Sequence, residues 1–455
     1  MGELDELRAA CPALVVRTDA VVLDAASVDA LRPFRARPDF AAVRTRPLAV
    51  VEPASTAEVA ALVRWAGKAR MPLVLRGGGS GLMGAAAVIT PALVVSLERM
   101  AAVVVEPEAG LVRAGAGATL ARVDAELAPH GFLFGHDPWT VGVATVGGAL
   151  STNGLGYLGA RAGSIGEQVR GLEAVLADGA VVRARPSPAR STGLDLTRLL
   201  IGTEGTLGII TEATLAVLPK PEERVAQGWR LPSFAAGVSV TVAMRRRGIR
   251  PTSLELSGGE SSTGELLLLF DGLRGEARLH AERTAELARA AGGAPMATDA
   301  AERWWADRHA IAERWAANPR FREGDWLPEA GRTPFDYAHV GVPVHALAAV
   351  RAEVHALVVR HGVRLVEEGL WHWPELYSVV VTAGPEAAAG VRAVIEGVCR
   401  AAQDAGGVME YCHGVGWKLA HLMEREYGRA ALAALRRIKA ALDPAGILNP
   451  EKGGL

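Results

Sequence analysis

The sequence predicts an α+β protein in two parts: a mixed α/β unit, then an antiparallel sheet covered by helices on one face. Three observations predict it. Over residues 44–222 short β-type runs alternate with turn signals and single amphipathic helices. After PKPEE at 219–223 the pattern changes to α, β, β, α and then β, α, β, β, α, two like units whose side-by-side pairing makes one sheet with its helices on a single face. A length of 455 residues, 50% hydrophobic and 22% charged, fits two or three folding units at about 150 residues each.

Residues 1–43 read as a helical, loosely attached lead ending in RPFRARPDF. A short strand at 48–51 follows, and Ser55-x-x-Glu58 is a capping box opening a helix that closes near Arg70, ahead of Pro72. Strand Leu73–Arg76 runs into the loop RGGGSG, residues 76–81. Further β-type runs stand at 93–97, 102–106 and 111–115, with a helix at 119–127. The glycine-rich stretch 135–169 has too few periodic polar positions for a surface helix. GLEAVLADGAVV reads as a hairpin turning at Asp178-Gly179, followed by GTEGTLGIITEATLAVLP. The second part holds helices at 238–247, 276–291, 344–361 and 386–405 and the strands SLELS, ELLLLF, FDYAHVGVP, VRLVEEG and LYSVVVTA. EYCHGVGWKLAHLMEREYG reads as a last helix. The divisions expected are 1–43, 44–222, 223–405 and a C-terminal return, 406–455.

Lys+Arg 49 against Asp+Glu 50 leaves a formal charge of −1 and no global field for nucleic acid or an anionic membrane. No run reaches the 18 or so apolar residues of a span, no leader is evident, and three cysteines without CxxC spacing suit a reducing compartment. A cytoplasmic protein acting on a small molecule is expected, with a homodimer left open.

Glycine, 52 residues, is the outlier. Successive amides after a strand, free of side chains, can cradle a pyrophosphate, and Arg76 adds charge; a tight turn is the plainer alternative. RGGGSG is joined by ATVGG (144–148), STNGLG (151–156) and GTEGTLG (202–208), enough unhindered backbone for a large dinucleotide in a groove.

The motifs PLVLRGGGSGL, DPWTVGVATVGGALSTNGLG, EQVRGLEAVLADG, LLIGTEGTLGIITEATL and IKAALDPAGILNPEK, in this order, resemble the FAD-linked oxidases of the vanillyl-alcohol-oxidase, or PCMH, type. The resemblance implies a two-part FAD-binding domain and a cap domain. It places Arg76, Gly77, Gly78, Gly79, Ser80 and Gly81 at the FAD pyrophosphate. Asp137, Pro138, Thr145, Gly148, Ser151, Asn153 and Gly154 would line the diphosphate and isoalloxazine, Glu204, Gly205 and Ile210 would hold the adenosine end, and Asn449 would return to the flavin edge. The pyrophosphate loop lacks the histidine often used for covalent attachment, so FAD is expected to be non-covalent, with His136 left open.

Metal-dependent 2-hydroxy-acid dehydrogenases of the family carry GHxGDGNxH and a Glu before HGxG. Here EGLWHWPELYSVVV and YCHGVG put Leu370, Tyr377 and Cys412 at the ligand positions, so no metal is expected. The same segments are similar to alkyldihydroxyacetonephosphate synthase, with Tyr377 as acid/base and His413 as the last of a histidine cluster, although Tyr411 and Cys412 replace its first two members and Trp417 precedes Lys418. His413, Tyr377 and His372 are thus the catalytic candidates, each weighed against a packing role, with Trp371 and Trp373 expected on the strand face opposite His372. Arg308, Arg314, Arg320 and Arg322, in a stretch with Trp304, Trp305, Trp315 and Trp326, are candidate clamps for an acid. The implied activity is FAD-dependent oxidation of an alcohol or 2-hydroxy acid, the acceptor being oxygen, a quinone or a protein. The alternative is a synthase-like transferase working through a flavin–substrate adduct, and a flavin-binding protein with a degenerate site is the blandest reading.

Overall fold

The computed structural model describes residues 2–31, 35, 37–258, 263–297, 299–317 and 334–455. Strands β1 (Val15–Arg17), β2 (Ala49–Glu52), β3 (Leu73–Arg76) and β4 (Leu93–Ser96) form the first sheet, in the order β1-β2-β4-β3. β4 runs parallel to β2 and β3, and helix Thr56–Ala69 joins these two. Ser55 accepts the Glu58 amide at 3.2 Å, the cap expected, while Glu58 accepts the amide of Ala54 and not that of Ser55, so the reciprocal half of the capping box is displaced by one residue. Val59, Leu62, Val63 and Ala66 on the helix are fully buried with Leu73 and Leu93, about 1.5–3 kcal/mol for each large side chain.

The N-terminal lead is not loosely attached. β1 pairs with β2, and Leu7, Cys11 and Leu14 enter the core under helix Thr56–Ala69. A three-residue strand, VVR, is too short to show an alternation in sequence.

The second sheet has the order β5-β6-β10-β8-β9, from β5 (Val103–Glu106), β6 (Leu111–Gly115), β8 (Val169–Val175), β9 (Val181–Ala184) and β10 (Ile209–Ala216). Its core takes in helices Leu120–Leu127 and Val146–Thr152, the latter buried because small residues VGGA let it sit close to the sheet. The short strands β7 (Phe132–Leu133) and β11 (Leu218–Pro219) pair with each other.

The cap is a seven-stranded antiparallel sheet, β15-β12-β14-β13-β17-β18-β16, made of β12 (Glu223–Leu231), β13 (Ser253–Gly258), β14 (Gly264–Gly272), β15 (Ala294–Pro295), β16 (Phe335–Gly341), β17 (Arg364–Trp371) and β18 (Leu376–Thr382). Helices Phe234–Arg246, Glu276–Ala290, Leu347–Arg360 and Ala388–Asp404 cover one face with an apolar core, as the fold class requires. β12 was not expected, because ERVAQGWRL does not alternate regularly and is mostly half-exposed. The opposite face carries Tyr337, His339, Trp371 and Ser378 toward the FAD-domain loops. Residues 410–419 are an irregular loop, not a helix, with Gly414 and Gly416 at φ 82 and 54, and the last helix is Met423–Leu442.

Candidate active site

The loop after β3 and the loop before helix Val146–Thr152 lie backbone against backbone. A Cβ on Gly77 would stand 2.4 Å from Thr145 Oγ1, and one on Gly78 1.7 Å from the Val143 carbonyl oxygen. Gly79 turns at φ 69 beside the Arg76 guanidinium, which donates to the Val28 carbonyl. Among the described residues no backbone hydrogen bond runs from the amides of Gly78, Gly79, Ser80 or Gly81. These donors, in residues half-buried except for the buried Gly79, are a cradle that fits a pyrophosphate.

Thr145 caps its helix by accepting the Gly148 amide, Ser151 donates to Gly147, and Asn153 ends the helix at φ 53 with its side chain on the Gly166 amide. Gly154 is buried against His136, itself 2% exposed. Gly205, at φ 75, seats the 202–208 loop on Leu75. Ile210 is a buried core residue of β10. The chain end runs alongside β3, Leu73 donating to Ile447 and Asn449 to Leu73, which brings Asn449 into this loop cluster. Its Nδ2 donates to Ala85 and Glu204, and its Oδ1 is a buried acceptor with no partner among the described residues.

Asp137 is held by the cap: Arg308 Nε reaches its Oδ2 at 2.9 Å and His309 Nε2 its Oδ1 at 2.7 Å. Against the upward push of burial, these two partners keep the carboxyl below its ordinary range. Pro138, half-buried, follows in the same loop. Of the candidate clamps, Arg308 is therefore committed to Asp137 and to the Trp305 ring, and Arg314 is exposed. Arg320, Arg322 and Trp326 lie outside the described residues.

On the open face of the cap sheet, His339 and Ser378 are cross-strand partners. His339 Nδ1 lies 2.9 Å from Ser378 Oγ and 3.1 Å from the Tyr411 hydroxyl, and the two hydroxyls are 2.8 Å apart. His413 stands edge-on to His339, ring centroids 4.7 Å apart, with Nδ1 3.4 Å from Glu410 Oε1. Burial, then the charge of His413, pulls His339 down to about 3. Burial works against the charge on His413 too, but Cys412 and Glu410 outweigh it and hold His413 well above the usual histidine range. One imidazole is neutral and its neighbour cationic. Behind them Asp336 accepts from Arg35 Nε at 2.7 Å and Lys418 Nζ at 2.8 Å, a buried triad with one excess positive charge, and Arg35 lies 4.0 Å over the Tyr337 ring. His339, Arg35 and Asp336 were missed; the signal available was a histidine three residues beyond an Asp in an otherwise alternating strand.

Tyr377 is not brought to His413. It is fully buried on the helix-covered face, where its hydroxyl donates to Glu368 at 3.0 Å and Glu368 also takes Arg351 Nε at 2.9 Å. Leu370, its partner in register, faces the same core. The positions on the site side are Trp371 and Ser378, one residue along, because alternate strand residues face opposite ways. His372 is also elsewhere. β17 ends at Trp371, and His372 occupies the turn at φ 64, 4% exposed, its ring bonded to the Gly156 backbone and its titration pulled to about 4 by burial. Trp373 is in that turn and not on a strand face.

Residues 47–185 match the FAD binding domain, and residues 220–453 match the C-terminal domain of FAD linked oxidases. The chain is 28% identical over 432 residues to the probable mitochondrial D-lactate dehydrogenase of Danio rerio, covering 89% of this chain and 84% of that one. It is 27% identical over 444 residues to glycolate oxidase subunit GlcD of Escherichia coli, covering 91% and 85%. A D-lactate dehydrogenase of Archaeoglobus fulgidus is 33% identical over 223 residues, 48% of this chain and only 50% of that protein. Among solved structures, p-cresol methylhydroxylase superposes with a TM-score of 0.75 at 16% identity, covering 100% of this chain and 97% of that one, and alkyldihydroxyacetonephosphate synthase with 0.73 at 20%, covering 90% and 78%. With its FAD-binding loops, helix-backed cap sheet and matching domains, the chain belongs to the FAD-binding PCMH-type oxidase family and is an FAD-linked oxidoreductase.

Proposed function

We propose that the protein oxidises the alcohol carbon of a 2-hydroxy acid, with FAD held non-covalently and without a metal, and that His339 and His413 handle charge at the reacting hydroxyl. The observation that carries this is the split pair: a neutral His339 beside a cationic His413, both half-buried on the cap face that looks onto the FAD loops. Bound FAD supplies the hydride acceptor. With the His339 proton on Nδ1, donated to Ser378 or Tyr411, Nε2 is left as acceptor for the substrate hydroxyl proton. The His413 imidazolium favours the negative charge that grows on that oxygen, and the excess charge of Arg35 and Lys418 over Asp336 gives the site a positive field for a carboxylate. The ligand positions that the resemblance implies carry Leu370 and Tyr377, both in the helix-covered core, and Cys412, which supports the metal-free reading. D-lactate dehydrogenase and glycolate oxidase among the relatives support the substrate class.

The test is anaerobic titration of the 450 nm flavin band with a panel of 2-hydroxy acids and alcohols, with and without chelator. Bleaching to stable reduced flavin by a 2-hydroxy acid, unchanged by chelator, is expected. His339→Gln should slow reduction by about 10²- to 10⁴-fold with FAD content intact. Acid precipitation should leave FAD in the supernatant. No bleaching by any hydroxy acid, or a parental rate in His339→Gln, would overturn the proposal.

A further inference from the structure

We propose that Glu204 is a positioning residue for the reaction, its carboxylate latching the 413–416 turn onto the FAD-binding loops. The inference rests on the reading in which His413 acts beside His339. The family resemblance puts Glu204 at the adenosine end, but its side chain reaches the C-terminal return. Its two oxygens accept the Gly416 amide at 2.9 and 2.8 Å, and the Val415 amide adds a further bond. A Cβ on Gly414 would stand 2.3 Å from Oε1, so a side chain there would push on the carboxylate, and the φ of 82 favours glycine. Glu204 is itself fixed: it is 5% exposed, at φ 52, with its amide donating to Ser151 at 2.8 Å and its carbonyl accepting Asn449 Nδ2 at 2.7 Å.

Next to His413 the Cys412 thiol reaches the Leu155 carbonyl at 3.7 Å, a weak uncharged bond, and the other anchors of this loop act elsewhere. Tyr411 donates its amide to His339, and Lys418 pairs with Asp336, both on the cap. Glu410 binds the amides of Cys412 and His413 and so travels with the loop it tightens. Met83 takes the Trp417 and Lys418 amides, further from His413. Glu204 is therefore the charged tether between the FAD domain and the turn that carries His413, and charge-assisted bonds are the stronger kind. A displacement of about 1 Å at a reacting group can cost on the order of 10²-fold in rate.

Burial pushes the Glu204 carboxyl up to about 7, against the Gly416 and Val415 amides and Lys452 of the chain end; Asp29, with Arg76 beside it, adds to the upward push. The carboxylate that grips the amides best is thus present above that pH and lost as pH falls through it. His339, down at about 3, and His413, held high, do not titrate on that limb.

Glu204→Gln in the FAD-loaded protein tests this, because its amide group sets an N–H donor against those of Val415 and Gly416. Hydrogen exchange of the 410–418 segment and the rate of anaerobic flavin reduction against pH are read together. Expected are retained FAD, exchange at Gly416 faster by about tenfold, reduction slower by about 10- to 100-fold with little change in KM, and loss of the acid limb near pH 7. Parental exchange at Gly416, or an acid limb unmoved in the variant, overturns the proposal. If Glu204→Gln fails to fold or to keep FAD, Glu204→Asp, one methylene shorter with its charge kept, should still speed Gly416 exchange, and unchanged exchange there overturns it equally. Should no hydroxy acid bleach the parental flavin, the functional reading fails while the exchange measurement still decides the latch.

Discussion

Replacing Gly78 by Ala tests the cofactor cradle with one methyl group. The added Cβ would lie 1.7 Å from the Val143 carbonyl oxygen and 2.7 Å from its carbon, both backbone atoms that no rotamer change can move. Since ordinary van der Waals contact needs about 3.5 Å, the two loops must part by well over an ångström. Overpacking of this kind costs typically about 1–3 kcal/mol, and here it falls on the form in which the cradle is closed. At about 1.4 kcal/mol per tenfold, FAD should bind roughly 5- to 150-fold more weakly. Gly142 in the same loop is the control, because a Cβ there meets nothing within 4 Å. FAD dissociation constants and thermal melts with and without FAD would be measured for Gly78→Ala and Gly142→Ala. Parental affinity in Gly78→Ala, or equal losses in both variants, would refute the packing of the two loops as the cradle.

Two further substitutions separate structure from chemistry. Tyr377→Phe keeps the ring and removes one donor from the buried Glu368 carboxylate, so it should lower stability by about 1–3 kcal/mol in denaturant titration while leaving the rate of flavin reduction near parental; a rate loss of 10²-fold would return Tyr377 to the chemistry. Asp336→Asn strands two buried cations, Arg35 and Lys418, and should cost about 3–5 kcal/mol in the same assay. Although burial opposes it, Lys418 and Arg35 hold the Asp336 carboxyl below its ordinary range, so its contribution is present above the unfolded carboxyl range and fades as pH falls through the depressed value; a variant less stable than the parent at neutral pH, with the gap narrowing as acid protonates the parental carboxyl, would fit, and equal stability at neutral pH would not.

The local chemistry of this chain was legible in sequence wherever a short motif dictates its own backbone. Ser55 and Glu58 cap the helix they announce, Asp178-Gly179 turns its hairpin, and the RGGGSG loop follows its strand because glycine alone accepts the close approach to Val143. Apart from β12 and the two-residue β15, the strands of the cap could be read from alternation. What sequence leaves free is the face on which an alternating strand lands, since a shift of one residue exchanges the two faces. Only the sheet register put Ser378 and Trp371 on the open face and sent Tyr377 and Leu370 into the helix-covered core. Likewise His339 belongs to a strand with no motif of its own, and it gains a role from Tyr411 and His413, some seventy positions away. The triad of Arg35, Asp336 and Lys418 draws on three segments that meet only when the N-terminal lead and the C-terminal return close on the cap. Backbone preference acts over a few residues and is written in order; the pairing of buried charges acts through space, and the folded chain alone decides which of them meet.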